Sequence, residues 1–446
     1  MKRIVAADET VRRLCGVQHY QPGTAYRRSA FCDCVPCEDG VLLFHTLTCE
    51  LLYAESEEEL SLFEEELVKD WFLVPIGFDE KKLLADLRRV ADMIKPKPRG
   101  RNSFTVLTTT DCNARCFYCY EMGCERITMT RETARDAADY MARVSGGEEI
   151  TISWFGGEPL YNAEAIDVIC AELRRKHIRF SSKMTSNGYF LDGETARKAV
   201  RDWNLTFVQI TVDGTREIYN RTKAYIDRPA DAYTRVLNNI EAASDVGISV
   251  TVRLNLDRNN ADDMMLLADE LADRFAGREN VDAIVTPLWE FAGKIHRFRD
   301  EAETFERSHA LRRKLTDLGL YRISALPSGF VGNQCLADND ACEVIMPDGR
   351  LGKCEHFGED SIIGSIYDGC RNQDVIAAWR EHEKSFAECD ECPLLPRCVI
   401  VKKCAWYQNG CREHNRLLKR SELHDRMLHT YHAYKNRLKP ESEAEI

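Results

Sequence analysis

The stretch SFTVLTTTDCNARCFYCY, residues 103–120, joins a run rich in β-branched residues to a loop that carries Cys112, Cys116 and Cys119. The run predicts a strand over 103–110, ended by the polar Asp111. Iron–sulfur clusters take thiolate ligands, one per iron, and Cys-x3-Cys-x2-Cys has the spacing of a loop wrapped around a cubane cluster. Three ligands on four irons would leave one iron open to a small molecule. A structural zinc site would instead need a fourth donor from elsewhere in the chain.

Outward from this stretch the pattern alternates. Strands are predicted at 103–110, 150–157, 180–188, 207–214, 249–257 and 281–289. Amphipathic helices fall between them at 132–144, 163–176, 194–203, 231–246 and 262–275. Repeated strand–helix units predict a parallel sheet, open or curled into part of a barrel. Such folds bind ligands at the carboxyl ends of their strands. The cysteine loop, Gly156-Gly157-Glu158-Pro159 and Thr185-Ser186-Asn187-Gly188 each fall just past a strand end, which places a site at that rim.

Before this core, residues 26–32, 41–48 and 50–54 read as strands. A helix follows, capped by Ser56 and Glu59, with Leu60, Phe63, Leu67 and Trp71 on one face. A second helix, capped near Asp79, carries Leu83, Leu84, Leu87, Val90, Ala91 and Ile94. KPKPRGR, 95–101, cannot continue that helix and marks a boundary. After a helix at 301–318 the regular pattern fades into a cysteine-dense, loop-rich stretch at 335–411. Metal ligation would supply stability that apolar burial cannot.

The chain has 446 residues, 44% hydrophobic and 30% charged, enough for two or three globular domains. It shows no apolar run of membrane-spanning length and no signal-peptide pattern, so a cytoplasmic protein is expected. In that compartment 19 cysteines point to metal or redox chemistry rather than disulfides. A net charge of −12 argues against a broad nucleic-acid face.

Taken together, these motifs resemble the radical SAM superfamily over about 103–290. Cys112, Cys116, Tyr118 and Cys119 match its CxxxCxφC loop, Trp154 to Pro159 its GGEP motif, Thr185 to Gly188 its third strand end and Val212-Asp213-Gly214 its fourth. The resemblance implies a [4Fe-4S] cluster on the three cysteines, its open iron chelating S-adenosyl-L-methionine. It also implies cofactor contacts from Tyr118, Gly156, Gly157, Glu158, Pro159, Ser186, Asn187 and Asp213. Reductive cleavage by a flavodoxin- or ferredoxin-type donor would give a 5′-deoxyadenosyl radical that abstracts a substrate hydrogen.

Eight cysteines downstream are what two more four-iron clusters need. The segment 342–354 resembles the start of a SPASM domain. That resemblance assigns Cys335, Cys342, Cys354 and Cys404 to one auxiliary cluster and Cys389, Cys392, Cys398 and Cys411 to the other, three clusters in all. Five residues separate Cys398 from Cys404 where the family more often has three, so the placing of Cys404 and Cys411 stays open, as does a zinc-knuckle reading. Glu355 follows Cys354, where related sulfatase-maturing enzymes carry a catalytic Asp, which implies proton transfer at Glu355. Cys32, Cys34 and Cys37 are read as free thiols or a labile metal site.

The implied fold is α/β: a partial (β/α)6 TIM-type barrel at 102–300. An N-terminal winged-helix-like α+β domain occupies 1–95, with a linker at 96–101, a loop-rich SPASM iron–sulfur domain at 301–425 and a C-terminal helix and tail at 426–446. By its architecture the first domain resembles the peptide-recognition element of enzymes that modify ribosomally made peptides, binding a leader as an added strand. The expected activity is maturation of a precursor peptide by an oxidative intramolecular crosslink, thioether or carbon–carbon. Epimerisation, formylglycine formation on a sulfatase and an electron-transfer scaffold are the alternatives. Removing 1–95 is expected to weaken peptide binding and spare cofactor cleavage.

Overall fold

The computed structural model describes residues 1–94, 99–121, 123–228, 231–288, 298–329, 335–356, 358–381, 387–398, 403–404 and 411–438. Much of the linker expected at 96–101 lies outside them.

Six parallel strands form the core in chain order: β7 (Ser103–Thr109), β8 (Ile150–Gly156), β9 (Phe180–Ser186), β10 (Leu205–Thr211), β11 (Ser249–Leu256) and β12 (Val281–Pro287). Helices α5 (Arg131–Val144), α6 (Ala163–Arg175), α7 (Gly193–Trp203), α8 (Arg216–Lys223), α9 (Ala232–Asp245) and α10 (Ala261–Phe275) connect them. The two-residue repeat of each strand separates two environments. In β11, Val250, Val252 and Leu254 are buried in the apolar core, while Arg253 and Asn255 line a cavity. In β10, Val208 and Ile210 face the core, and Gln209 and Thr211 the cavity. This is the mostly parallel α/β fold expected.

The cysteine-rich region is not all loop. β13 (Cys342–Ile345) joins the sheet parallel to β7, pairing Cys342 with Ser103. Antiparallel β14 (Arg350–Gly352), β15 (Gly364–Ser365) and β16 (Gly369–Cys370) extend it to ten strands. Strands of two to four residues are too short for periodicity to reveal. Helices α11 (Glu301–Asp317) and α12 (Gln373–Arg380) flank this region.

The N-terminal sheet has four antiparallel strands rather than three, in the order β1 (Lys2–Val5), β5 (Glu50–Ala54), β4 (Gly40–His45), β3 (Cys32–Cys37). β2 (Tyr26–Arg28) pairs separately with β6 (Leu73–Pro75), and a short helix α1 (Glu9–Cys15) follows β1. VLLFH and ELLYA are apolar almost without alternation because both faces of the sheet are covered. On one, Leu42, Phe44, Leu51 and Tyr53 meet Leu423, Met427 and Tyr431 of the terminal helix α13 (Glu413–Leu438). On the other, Leu43, Leu52 and Ala54 meet Leu60, Leu67 and Phe72.

The helix expected from Ser56 is broken: Glu57–Leu60 (α2), a 3-10 turn at Ser61–Phe63, then Glu64–Lys69 (α3). Leu60, Leu67 and Trp71 are still buried. In Glu80–Ile94 (α4), Leu84 and Leu87 are buried, but Val90 and Ile94, expected on the same face, are 38% and 61% exposed. Among the described residues no helix is long and apolar enough to cross a membrane.

Candidate active site

A cavity of about 770 Å³ opens at the carboxyl ends of the parallel strands. Cys112, Cys116 and Cys119 line one wall, with Gly156, Gly157, Ser186 and Asn187 beside them. The first half of the cysteine loop is held by several contacts. The Asp111 carboxylate accepts from Cys112 N at 2.8 Å and pairs with Arg115 at 3.3 Å and Arg126 at 3.5 Å. Asn187 Nδ2 donates to Asn113 Oδ1 at 2.7 Å, and Arg115 N donates to the Lys223 carbonyl at 2.8 Å.

The glycines act through packing. Gly156 has φ +110°, and a Cβ there would stand 2.2 Å from the Thr109 carbonyl oxygen; one on Gly157 would stand 2.3 Å from that of Asp111. Only glycine lets this turn lie against the start of the cysteine loop. Gly157 N and Glu158 N then donate to Thr109 and Asp111 carbonyls, both at 3.0 Å.

Glu158, Pro159 and Asp213 do not line the cavity, and each braces the residues that do. Glu158 is wholly buried and accepts from Ser186 Oγ at 2.8 Å, Asn187 N at 2.7 Å and Leu160 N at 3.1 Å, tying two rim turns together. The Pro159 carbonyl accepts from Thr108 Oγ1 at 3.0 Å. Asp213, also wholly buried, accepts from Tyr118 OH and pairs with Lys223, both at 2.7 Å, and accepts from Asn255 Nδ2 at 3.0 Å. Burial opposes the Lys223 charge, but Asp213, Tyr118 and Cys116 outweigh it and hold its pKa well above the usual value. Tyr118 lines the cavity, with its hydroxyl committed to this buried network.

Burial pushes Glu158 up to about 7 from the usual 4.5, more than its three donors lower it. Between those pH values the folded chain keeps a proton that the unfolded chain releases, so this residue makes stability fall as pH rises through them. The shift corresponds to about 3 kcal/mol. Glu158→Gln is expected to flatten the dependence of melting temperature on pH across this interval relative to the parent. Identical slopes in the two proteins would exclude this origin.

The three thiols act on one another electrostatically. Burial raises all three, Cys112 to about 12 and Cys119 to about 11. A metal must therefore displace their protons on binding. Three mutually close thiols on a cavity wall suit an iron–sulfur cluster by donor chemistry. Among the described residues no three Cys, His, Asp or Glu side chains converge on a single-ion site. Thiolates bound to different irons of one cluster stand around it rather than on one point.

The far wall comes partly from the cysteine-rich region. Glu355 and His356 line the cavity, 3.9 Å apart at Oε1 and Nε2, and the His356 ring lies 4.1 Å from that of Tyr120. Burial lowers the His356 pKa despite Glu355. Further out, Cys335, Cys354 and Cys404 act on one another, and Cys411 is placed with Cys389, Cys392 and Cys398. For Cys342 the strongest influences after burial are Ser103, Lys353, Lys183 and Asp338, none of them a cysteine.

Lys223, Arg253, Asn255 and Glu121 were not expected here. A lone arginine in the apolar strand SVTVRLNL was a legible signal, because such a residue must face something polar. For Lys223, at the end of a helix, no periodic signal existed.

Residues 106–272 match the family model of the radical SAM superfamily. Among curated proteins the chain is similar to GTP 3′,8-cyclase of Paenarthrobacter nicotinovorans, 33% identical over 119 residues, 25% of this chain and 32% of that protein. It is also similar to probable GTP 3′,8-cyclase of Thermococcus kodakarensis, 23% identical over 304 residues, 63% of this chain and 94% of that one. The chain thus spans about a third of the first and nearly all of the second. Of solved structures, anSMEcpe with bound AdoMet aligns with a TM-score of 0.56 at 15% identity, covering 75% of this chain and 96% of that one. Streptococcus suis SuiB bound to precursor peptide SuiA aligns at 0.50 and 13%, covering 87% and 95%. At these identities the likeness is one of fold.

Proposed function

We propose that this chain, whose residues 106–272 match the radical SAM superfamily, modifies a ribosomally made precursor peptide, forming an intramolecular thioether or carbon–carbon crosslink by net oxidation. The observation that carries this reading is the meeting of two regions in one cavity. Glu355 and His356, next to Cys354, face the space bounded by Cys112, Cys116 and Cys119. Loaded with a four-iron cluster and S-adenosylmethionine, such a site supplies a radical that removes a substrate hydrogen. The chain's own part is to hold the cofactor with Cys112, Cys116 and Cys119, to orient it along Gly156, Gly157, Ser186 and Asn187, and to exclude water with Tyr120 and His356. Glu355 accepts the proton released on oxidation.

The two downstream cysteine groups hold auxiliary clusters that carry the electrons away, and a flavodoxin- or ferredoxin-type protein supplies the initiating electron. The leader binds the N-terminal domain by adding a strand to its sheet, whose outer strands are β1 and β3. The fold likeness to a structure holding a precursor peptide supports this substrate class. The charge of the cavity supports a peptide over a nucleoside triphosphate, since Arg115 and Arg126 share Asp111 and Lys223 is taken by Asp213. A triphosphate wants several uncommitted cations.

Co-expression with a short peptide encoded beside this gene, followed by mass spectrometry, tests the reading. A loss of two hydrogens and a fragmentation gap between two linked residues are expected. Unchanged mass with deuterium uptake from heavy water would mean epimerisation, and an aldehyde-reactive product without a link would mean formylglycine formation.

A further inference from the structure

Three of the four described cations lining the cavity have carboxylate partners, Arg115 and Arg126 in Asp111 and Lys223 in Asp213. Arg253 has none among the described residues. Its Nε donates to Asn255 Oδ1 at 2.9 Å, which satisfies one donor of five and none of the charge. Asp213, the one carboxylate among the groups acting on it, is filled by Lys223, Tyr118 and Asn255. Burial lowers the Arg253 pKa despite those groups, as expected for a guanidinium whose counter-charge is missing.

Resting on the peptide-modifying reading, we propose that Arg253 binds a carboxylate of the substrate and that the peptide carries an Asp or Glu beside the residue that reacts. A guanidinium fork takes a carboxylate through two parallel N–H···O bonds, which fixes both position and orientation. Glu355 lines the same cavity and disfavours an acidic group on its side, while Arg253 lacks a carboxylate partner among the described residues, which favours that charge at Arg253. The reach of Arg253 to the far wall favours substrate over cofactor. Lys223 belongs to the cysteine wall, with its carbonyl bonded to Arg115 N and its ammonium acting on Cys116. Arg253 acts on Tyr118 and Tyr120 of the cysteine loop and also on His356, next to Glu355, so unlike Lys223 it reaches the far wall of the cavity.

The test is selection of a random displayed peptide library on the reconstituted holoenzyme with S-adenosylmethionine present. The parent is expected to enrich peptides with Asp or Glu at one fixed position. Affinity for the best peptide should fall about tenfold or more in Arg253→Gln and partly recover in Arg253→Lys. The same peptide with its acid changed to the amide, measured on the unmodified enzyme, should lose as much, and combining the two changes should add little. That arm gives the worth of the charge without altering the protein. Enriched peptides lacking a fixed acidic position, or losses that simply add, would overturn the proposal and leave the peptide reading standing. No enrichment of any peptide would overturn both. A larger loss of affinity for S-adenosylmethionine than for peptide would assign the guanidinium to the cofactor's carboxylate and overturn it too.

Discussion

With Cys112, Cys116 and Cys119 all changed to alanine, release of 5′-deoxyadenosine from S-adenosylmethionine under dithionite is expected to fall to background. The three thiols share one wall of the cavity and act on one another, and no other described cysteine but Cys124 lines that space. The change removes the proposed cluster ligands and leaves the scaffold, because the loop is held by other groups. Asp111 keeps Arg115 and Arg126, Asn113 keeps Asn187, and Gly157 and Glu158 keep their bonds to the strand end. Loss of three small, partly buried thiols should therefore cost the unloaded protein about 1 kcal/mol or less in stability. Iron after anaerobic reconstitution should drop from roughly twelve to roughly eight per chain, as one four-iron cluster of three is lost. Release persisting at the parental rate would rule out this wall as the cofactor site. Iron near four in the parent would rule out the auxiliary clusters instead.

The same wall shows what a sequence makes legible. Six strands of the core were readable within about three residues because β-branched runs alternate with amphipathic helices, a pattern set by local geometry. The cysteine loop and the glycine turn were readable because their chemistry leaves few other uses. Roles that depend on depth were not. Glu158 and Asp213 sit within the motifs that mark the rim, yet both are wholly buried and act on neighbouring protein groups. A motif gives position along the chain and not which way a side chain points. Cys32, Cys34 and Cys37 lie on β3, where Pro36 and three thiols hid a strand that pairs residue by residue with β4. The longest-range arrangement was the least visible: nothing local in residues 413–438 announces that they cover the sheet of residues 2–54.

That arrangement reverses the expectation for removing the N-terminal domain. Deletion of 1–94 is expected to yield insoluble protein, or soluble protein short of the iron proposed for Cys389, Cys392, Cys398 and Cys411, rather than an intact catalyst with weak peptide affinity. Cys389 and Leu395 are buried against Val11, Phe31, Leu47, Leu84 and Leu87. Leu423, Met427 and Tyr431 are buried against the N-terminal sheet, where the Tyr431 ring stacks on Tyr53 at 5.1 Å. Uncovering these five side chains costs on the order of 10 kcal/mol at about 1.5–3 kcal/mol each, comparable to the whole stability of an ordinary domain. Polar ties go as well. The Arg88 guanidinium donates to the carbonyls of Leu395, Pro396 and Cys398 at 3.2, 3.3 and 3.2 Å, and Lys81 pairs with Asp390. Asp33 takes Arg420 at 2.7 Å and His424 at 3.1 Å. The cysteines of this group lie in or beside the loop that these contacts hold, so the truncation strips the support of the proposed auxiliary cluster along with the proposed leader-binding sheet. Soluble yield, iron content and melting temperature of the truncated chain measure the effect together. A soluble truncation with full iron and the parental melting temperature would show instead that the domain is an appendage.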